Sequence, residues 1–320
     1  MGGVVQLAIH GIDTADNTPE GLRALLCANE RYRRKPWPHP FNCTTHRVHI
    51  GDARDLSWIA DSSVHLVVTS PPYWTLKEYR RTDGQMGFIE DYEQFLDELD
   101  RVWGECVRVL VPGGRICCVV GDVCVSRKKG GRHHVMPLHS DIQVRVRRLG
   151  LDCLTPILWY KIANGVTEAE GNGAGFYGKP YQPGQVIKND IEHILFFRKG
   201  GTYRSVPPIQ KALSMITKTE MQAWFRSFWV DIKGASTRNG HPAPYPAELA
   251  ERLICMFSFA GDTVLDPLAG TFSTAVAAIA AGRNSISNEI DPQYAADGRA
   301  RVVQAAAAKR SAAAITARVV

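Results

Sequence analysis

The chain has 320 residues, 45% of them hydrophobic and 22% charged, enough for one substantial core with a smaller accessory region and unlike a fibrous or disordered chain. Lysine and arginine exceed aspartate and glutamate by 38 to 32, a net charge of +6 that suits a polyanionic partner without identifying one. No apolar run reaches the roughly 18 to 20 residues of a membrane span, and no basic segment leads into an apolar core at the N-terminus, so the expected location is the cytoplasm and no membrane partner is expected.

The first forty-odd residues carry the basic run Arg31 to Lys35 and then Pro36, Pro38 and Pro40, and are expected to form an N-terminal arm, residues 1–46. From Arg47 onward short β-branched runs alternate with amphipathic helical patterns, the rhythm of an α/β protein with a parallel sheet covered on both faces. Val64 to Thr69 reads as a strand. Asp91 to Leu110 spaces Tyr92, Phe95, Leu96, Leu99, Val102, Trp103, Cys106, Val107 and Leu110 as a helix, which Pro112-Gly113-Gly114 should stop before a strand at Arg115 to Val120. Ile162 to Gln185 is glycine-rich, with Gly165, Gly171, Gly173, Gly175, Gly178 and Gly184, and is expected to be a long loop, either a binding element or a mobile linker. A second unit follows: a helix over Pro246 to Phe259, strand Thr263 to Asp266, helix Ser273 to Ala281 and strand Ser285 to Ile290. The alanine-rich end, 305–320, reads as a solvated helix or a frayed tail. The eight cysteines, at positions 27, 43, 106, 117, 118, 124, 153 and 255, form no C-x-x-C pair and read mostly as reduced core thiols.

Ser70-Pro71-Pro72-Tyr73 follows the first of these strands. Ligands bind at such strand ends in open α/β sheets. The prolines hold the backbone extended and remove amide donors, leaving the carbonyls of Ser70 and Pro71 to accept hydrogen bonds. That suits an amino group. A base amino nitrogen is a poor nucleophile because its lone pair is delocalised, so an enzyme must accept its hydrogens and favour the pyramidal nitrogen. Ser70 Oγ and the Pro71 carbonyl are candidates for that task, and Tyr73 offers an aromatic face to a base taken out of the stack. A rigid proline turn with Tyr73 and Trp74 as packing is the plain alternative.

Strand Thr263 to Asp266 runs through Pro267-Leu268-Ala269-Gly270-Thr271 into a helix, the recurring cradle for a nucleoside-containing cofactor. It has neither the dinucleotide G-x-G-x-x-G nor a phosphate-binding G-K-[ST]. About twenty residues on, Glu289-Ile290-Asp291 places acidic side chains for ribose hydroxyls. Adenosine without phosphate fits; helix capping by Asp266 and a solvated Glu289 are the alternatives.

Together, Thr69-Ser-Pro-Pro-Tyr-Trp74 and Leu265-Asp-Pro-Leu-Ala-Gly-Thr271 resemble the amino-methyltransferases of the DNA restriction-modification type, in the class whose catalytic motif precedes the cofactor motif. The resemblance spans roughly Arg47 to Arg301 and includes Gly51-Asp52 and His241-Pro-Ala-Pro-Tyr-Pro246. It implies a Rossmann-like fold, mostly parallel with a reversed C-terminal hairpin and helices on both faces, and S-adenosyl-L-methionine as cofactor. It further implies that Asp266, Pro267, Ala269, Gly270 and Thr271 line the methionine portion, with Ser236 and Thr237 near its end, Glu289 and Asp291 by the ribose, and Asp52 by the adenine. Phe272 stands where the family has a second glycine, and is expected to narrow the pocket or weaken binding.

The motif order implies a catalytic half over 47–160, a target-recognition region over 161–240 and a cofactor half over 241–304. Arg127, Lys128, Lys129 and Arg132 are candidates for phosphate contact, with a solvated basic loop as the alternative. His133, His134 and His139 show no metal spacing, and no metal is expected. The expected reaction is methyl transfer to cytosine N4 in double-stranded DNA, with adenine N6 as the alternative because serine at the first position of the motif is a tendency of cytosine enzymes. A catalytically silent DNA-binding protein of the same fold, and an RNA or protein amide methyltransferase, are further readings. A cognate restriction endonuclease and a homodimer are candidate partners.

Overall fold

The computed structural model describes residues 18–34, 41–77, 79–161, 187, 189–235, 244–308 and 312–319. In chain order the elements are α1 (Pro19–Arg34), β1 (Cys43–Ile50), β2 (Val64–Thr69), α2 (Tyr92–Val109), β3 (Leu110–Val120), β4 (Val123–Val125), α3 (Arg127–Gly130), β5 (His134–Met136), α4 (Leu138–Arg148), β6 (Leu151–Tyr160) and β7 (Ile191–Lys199). They continue with α5 (Pro208–Leu213), α6 (Lys218–Trp224), β8 (Phe228–Trp229), α7 (Ala247–Phe257), β9 (Thr263–Asp266), α8 (Ser273–Ala281), β10 (Asn284–Glu289), α9 (Pro292–Ala308) and β11 (Ala312–Val319).

Among the described residues the main sheet has nine strands in the order β11-β1-β10-β9-β2-β3-β7-β6-β8, and β7 alone runs against its neighbours. This is the expected α/β methyltransferase-like sheet. The reversed strand pairs with β6 as a hairpin, but mid-chain and not at the C-terminal end, because β9 and β10 follow it in sequence.

The apolar pattern of β2 explains its central place. Leu66 and Val68 join the cluster under α7 and α8 with Leu249, Leu253 and Val264, whereas Val67 joins Phe95, Leu99 and Ile142 under α2 and α4. A strand buried on both faces requires helices on both sides. From β2 the chain proceeds through α2 to β3, and from β9 through α8 to β10, in opposite directions across the sheet. The carboxyl ends of β2 and β9 therefore form a topological switch point, where such sheets hold ligands.

Two expectations about the chain ends change. Within the expected arm, α1 docks on α5 through Leu25 and Ala212, with Asn29 Nδ2 donating to the carbonyls of Ala212 (2.8 Å) and Met215 (2.7 Å), and β1 begins at Cys43. In the expected tail, β11 adds to the edge of β1 in parallel register, Cys43 opposite Ala312. A strand edge left open by β1 outweighs the local helical preference of alanine. The glycine-rich loop lies outside the described residues. Cys106, Cys117 and Cys118 are buried, their thiols pushed up by burial, while Cys27, Cys43 and Cys153 are exposed. Among the described residues no helix is long and apolar enough to cross a membrane.

Candidate active site

A cleft opens at the switch point, where ligands bind in open α/β sheets. Ser70, Pro71 and Pro72 from the end of β2 form one wall, and Pro267, Leu268 and Gly270 after β9 form another. Gly51 and Asp52 after β1 and Asn288 and Glu289 from β10 complete it, with Tyr79, Gln85 and Met86 along the rim.

Glu289 is 6% exposed, and its two oxygens accept from Gly270 N (2.7 Å) and Asp291 N (2.9 Å). Burial raises its carboxyl from the usual 4.5 to about 7. Each oxygen has a further lone pair, so hydroxyls entering the cleft can donate to it. Asp52 is held differently: burial opposes its ionisation, but hydrogen bonds and charge from Arg54 prevail and keep it below the usual range. Asn288 was not foreseen. Its Nδ2 donates to the carbonyls of Gly51 (3.0 Å) and Pro267 (3.1 Å), and its Oδ1 lies 2.7 Å from His49 Nδ1, so one side chain ties both motif loops together. The cradle fits a nucleoside cofactor: the carboxylates of Asp52 and Glu289 line the cleft, and among the described residues that line it there is no lysine or arginine to hold a phosphate.

Four expected cofactor residues do not line the cleft. Asp266 is fully buried and accepts from Thr69 Oγ1 (2.7 Å), Tyr245 OH (2.7 Å), Thr274 Oγ1 (2.9 Å) and Leu268 N (3.2 Å). Burial raises its carboxyl, against these hydrogen bonds. It fastens β9 to β2 and α8 behind the cleft. Ala269 packs in the α8–α9 cluster, and Thr271 receives the Arg301 guanidinium at Oγ1 (2.8 Å). Asp291 caps α9, accepting from Gln293 N and Tyr294 N, both at 2.9 Å, and takes Thr82 Oγ1 at 2.7 Å. Phe272 does not narrow the cleft either, since its ring is fully buried in that same α8–α9 cluster. Ser236 and Thr237 lie outside the described residues.

Tyr73 is 3% exposed, so its ring is covered in this conformation and not offered as an open face. Trp74 turns the chain at φ +44 and donates from Nε1 to the Ile89 carbonyl at 2.8 Å.

The family model for DNA methylases of the N6/N4 kind matches residues 64–299. The chain belongs to this family. Among curated relatives, the type II methyltransferase M.MjaI of Methanocaldococcus jannaschii is 38% identical over 278 residues, covering 78% of this chain and 88% of its own. A Thermus thermophilus protein, solved as a candidate DNA modification methylase in complex with S-adenosyl-L-methionine, is 47% identical at a TM-score of 0.70, covering 85% of this chain and 98% of its own. The cytosine-N4-specific PvuII DNA methyltransferase shares the fold at a TM-score of 0.59 and 19% identity, over 81% of this chain and 88% of its own. The family is S-adenosylmethionine-dependent and methylates exocyclic amino groups of DNA bases.

In this methylase Arg127, Lys128 and Lys129 belong to α3, inserted between β4 and β5 just beyond the end of β3, and Arg132 lies in the bend after it; Arg127, Lys128 and Arg132 are exposed, and the side chain of Lys129 is not described. Sequence spacing also missed a cluster. Asp122, His139 and His193 bring one ligand-type atom each within 4.8 Å of the others. His139 Nδ1 bonds Asp122 Oδ1 at 2.7 Å, and the two imidazoles stack at 3.7 Å and 5°. In rings so nearly parallel the in-plane lone pairs run side by side and do not converge on one ion. His193 comes from β7, so its partners are visible only once β7 pairs with β3.

Proposed function

We propose that the methylase transfers a methyl group to the N4 amino group of cytosine in double-stranded DNA. What supports this reading is Ser70 on the cleft wall, the first residue of the tetrapeptide, where no carboxylate stands. Bound S-adenosylmethionine supplies an electrophilic methyl carbon. Glu289 accepts the ribose hydroxyls, Asp52 faces the adenine side, and the Pro267 to Gly270 turn borders the methionine portion.

Ser70 Oγ and the Pro71 carbonyl accept the hydrogens of the amino group, orienting the nitrogen lone pair toward the cleft. Serine does so without setting a full negative charge beside the pyrimidine, whose charge already gathers at its ring nitrogen and carbonyl. After transfer the nitrogen sheds one proton through Ser70 to solvent. Tyr73 stacks on the extruded base once its ring is uncovered, a rearrangement that base flipping brings about. Residues 161–240 are assigned to target recognition, and Arg127, Lys128, Lys129 and Arg132 to backbone phosphates.

Mass spectrometry of nucleosides from treated plasmid DNA tests the reading. N4-methyldeoxycytidine is expected; N6-methyldeoxyadenosine would overturn the base assignment, and 5-methyldeoxycytidine the mechanism.

A further inference from the structure

Beside the catalytic tetrapeptide, β3 and β6 end and β7 begins, and these strand ends carry a charged pair that the transfer step above does not use. Glu192, second in β7, is 3% exposed and forms an ion pair with Nζ of Lys161, the residue directly after β6. The register accounts for the meeting. Glu192 lies opposite Trp159 in the β6–β7 ladder, so Trp159, Glu192 and Lys161, two residues beyond Trp159, share one face.

The pair is held tightly. Lys161 Nζ lies 6.0 Å from the centre of the Trp159 ring, and a Cβ placed on Gly234 would come 3.2 Å from Lys161 Cγ. On the other side, Gly121 separates the pair from the tetrapeptide. A Cβ there would lie 3.4 Å from Glu192 Cγ and 3.5 Å from Tyr73 Cε2, so the carboxylate stem and the aromatic ring flank one glycine. The Glu192 side chain is 4% exposed and that of Lys161 25%, so the cation is the end nearer to solvent.

Burying an ion pair contributes little to stability, because desolvation offsets the attraction. Its value lies in what it holds. We infer that Lys161 is a specificity-determining residue for the target base, donating to the acceptor edge of a cytosine stacked on Tyr73, and that Glu192 is a positioning residue for its ammonium. This rests on the cytosine reading above. Cytosine presents two adjacent acceptors, the ring nitrogen and the carbonyl oxygen, whereas adenine presents one ring nitrogen beside a C–H. An ammonium carries three donors, so binding Glu192 does not exhaust it. The carboxylate also cancels the charge of the cation, which would otherwise oppose the positive charge gathering on N4 during transfer.

The test maps the methylated site by modification-sensitive sequencing of a plasmid from a host without its own DNA amino-methyltransferases. Duplexes with cytosine or adenine at that position then give kcat/KM for each base, alongside cofactor affinity by calorimetry. Lys161→Met, and the neutral double variant Lys161→Gln with Glu192→Gln, should lose about 10- to 100-fold in preference for cytosine while binding S-adenosylmethionine as the wild type does. Lys161→Arg, which keeps charge and donors, should retain most of the preference. The double variant leaves no buried charge unpaired, so the ratio is readable even if Lys161→Met fails to fold. An unchanged base ratio in a double variant with normal cofactor affinity overturns the inference. Wild-type transfer to adenine overturns the cytosine reading instead, and is seen before any variant is made.

Discussion

The ring of Phe272 occupies the space that a side chain at position 298 would need: a Cβ on Gly298 would sit 2.5 Å from Phe272 Cγ. Phe272 precedes α8 at φ +62, a left-handed conformation that costs a residue with a Cβ roughly 1–2 kcal/mol. Burial of the whole ring against Val48, Ile279 and Val302 offsets that strain. The bulky ring is thus matched by a glycine on α9 and lies outside the residues that line the cleft.

Gly298→Ala should therefore lower the unfolding free energy by about 1–3 kcal/mol through overpacking. Phe272→Gly should be destabilising as well, since the cavity left by a lost phenyl ring costs about 3–5 kcal/mol and exceeds the strain relieved. Denaturant unfolding measures both. Cofactor affinity in folded Phe272→Gly should be unchanged, and a marked gain would return the ring to the cleft.

For Asp266 the expectation is loss of the fold before loss of the cofactor. Asp266→Ala leaves the hydroxyls of Thr69, Tyr245 and Thr274 without their shared acceptor. Thr274 still has the Val68 carbonyl as an acceptor and Tyr245 still has Thr274 Oγ1, so the loss is that of the Thr69 hydroxyl left unsatisfied, about 1–3 kcal/mol in thermal unfolding. A fully stable Asp266→Ala protein that no longer binds S-adenosylmethionine would contradict this placement.

The contrast between Asp266 and Glu289 shows how far local sequence reaches. Both end strands next to turns, and the sequence assigned both to the cofactor. Strand limits were legible where apolar runs meet proline, glycine or charge, as at Val64–Thr69 and Thr263–Asp266. The side on which an end residue faces was not, because it depends on neighbours. Asp266 turns to Thr69 only because β9 pairs with β2, a long-range choice that no local pattern encodes. The pairing of β11 with β1, the bridging by Asn288 and the meeting of His139 with His193 were hidden for the same reason.

Glu289 should make cofactor binding depend on pH. Ribose hydroxyls donate best to the ionised carboxylate, and burial raises that group to about 7 in the cofactor-free protein. Binding then requires a proton to leave below that value. Affinity for S-adenosylmethionine should rise up to about tenfold between about pH 6 and about pH 8, and Glu289→Gln should flatten the profile. Stability of the cofactor-free protein moves the other way: a carboxyl raised from 4.5 to about 7 favours the fold when protonated, and that advantage is lost as pH rises through this window. Calorimetric titration across the range checks the first expectation, and unfolding of the cofactor-free protein the second.

Joint replacement of Arg127, Lys128, Lys129 and Arg132 by glutamine should weaken DNA binding and flatten its salt dependence. The log–log slope should fall by about 0.9 for each phosphate contact removed. Fluorescence anisotropy over a salt series measures it, and an unaltered slope would make the α3 segment a bystander.

Tyr73 lies in the core cluster with Phe95 and Leu138 and is also assigned to the target base, so truncation alone would confuse packing with catalysis. Substitutions that keep its volume separate the two. Tyr73→Phe retains an aromatic face and should keep most of the turnover, whereas Tyr73→Leu fills the core without one. Base–aromatic stacking is worth about 1–3 kcal/mol, so the leucine variant should fall about 5- to 150-fold below the phenylalanine variant in kcat/KM for DNA. Affinity for S-adenosylmethionine should be equal in both, because Tyr73 does not line the cofactor cleft. Equal turnover in the two variants would remove the ring from base recognition, and a matching loss of cofactor affinity would reassign it to the cleft.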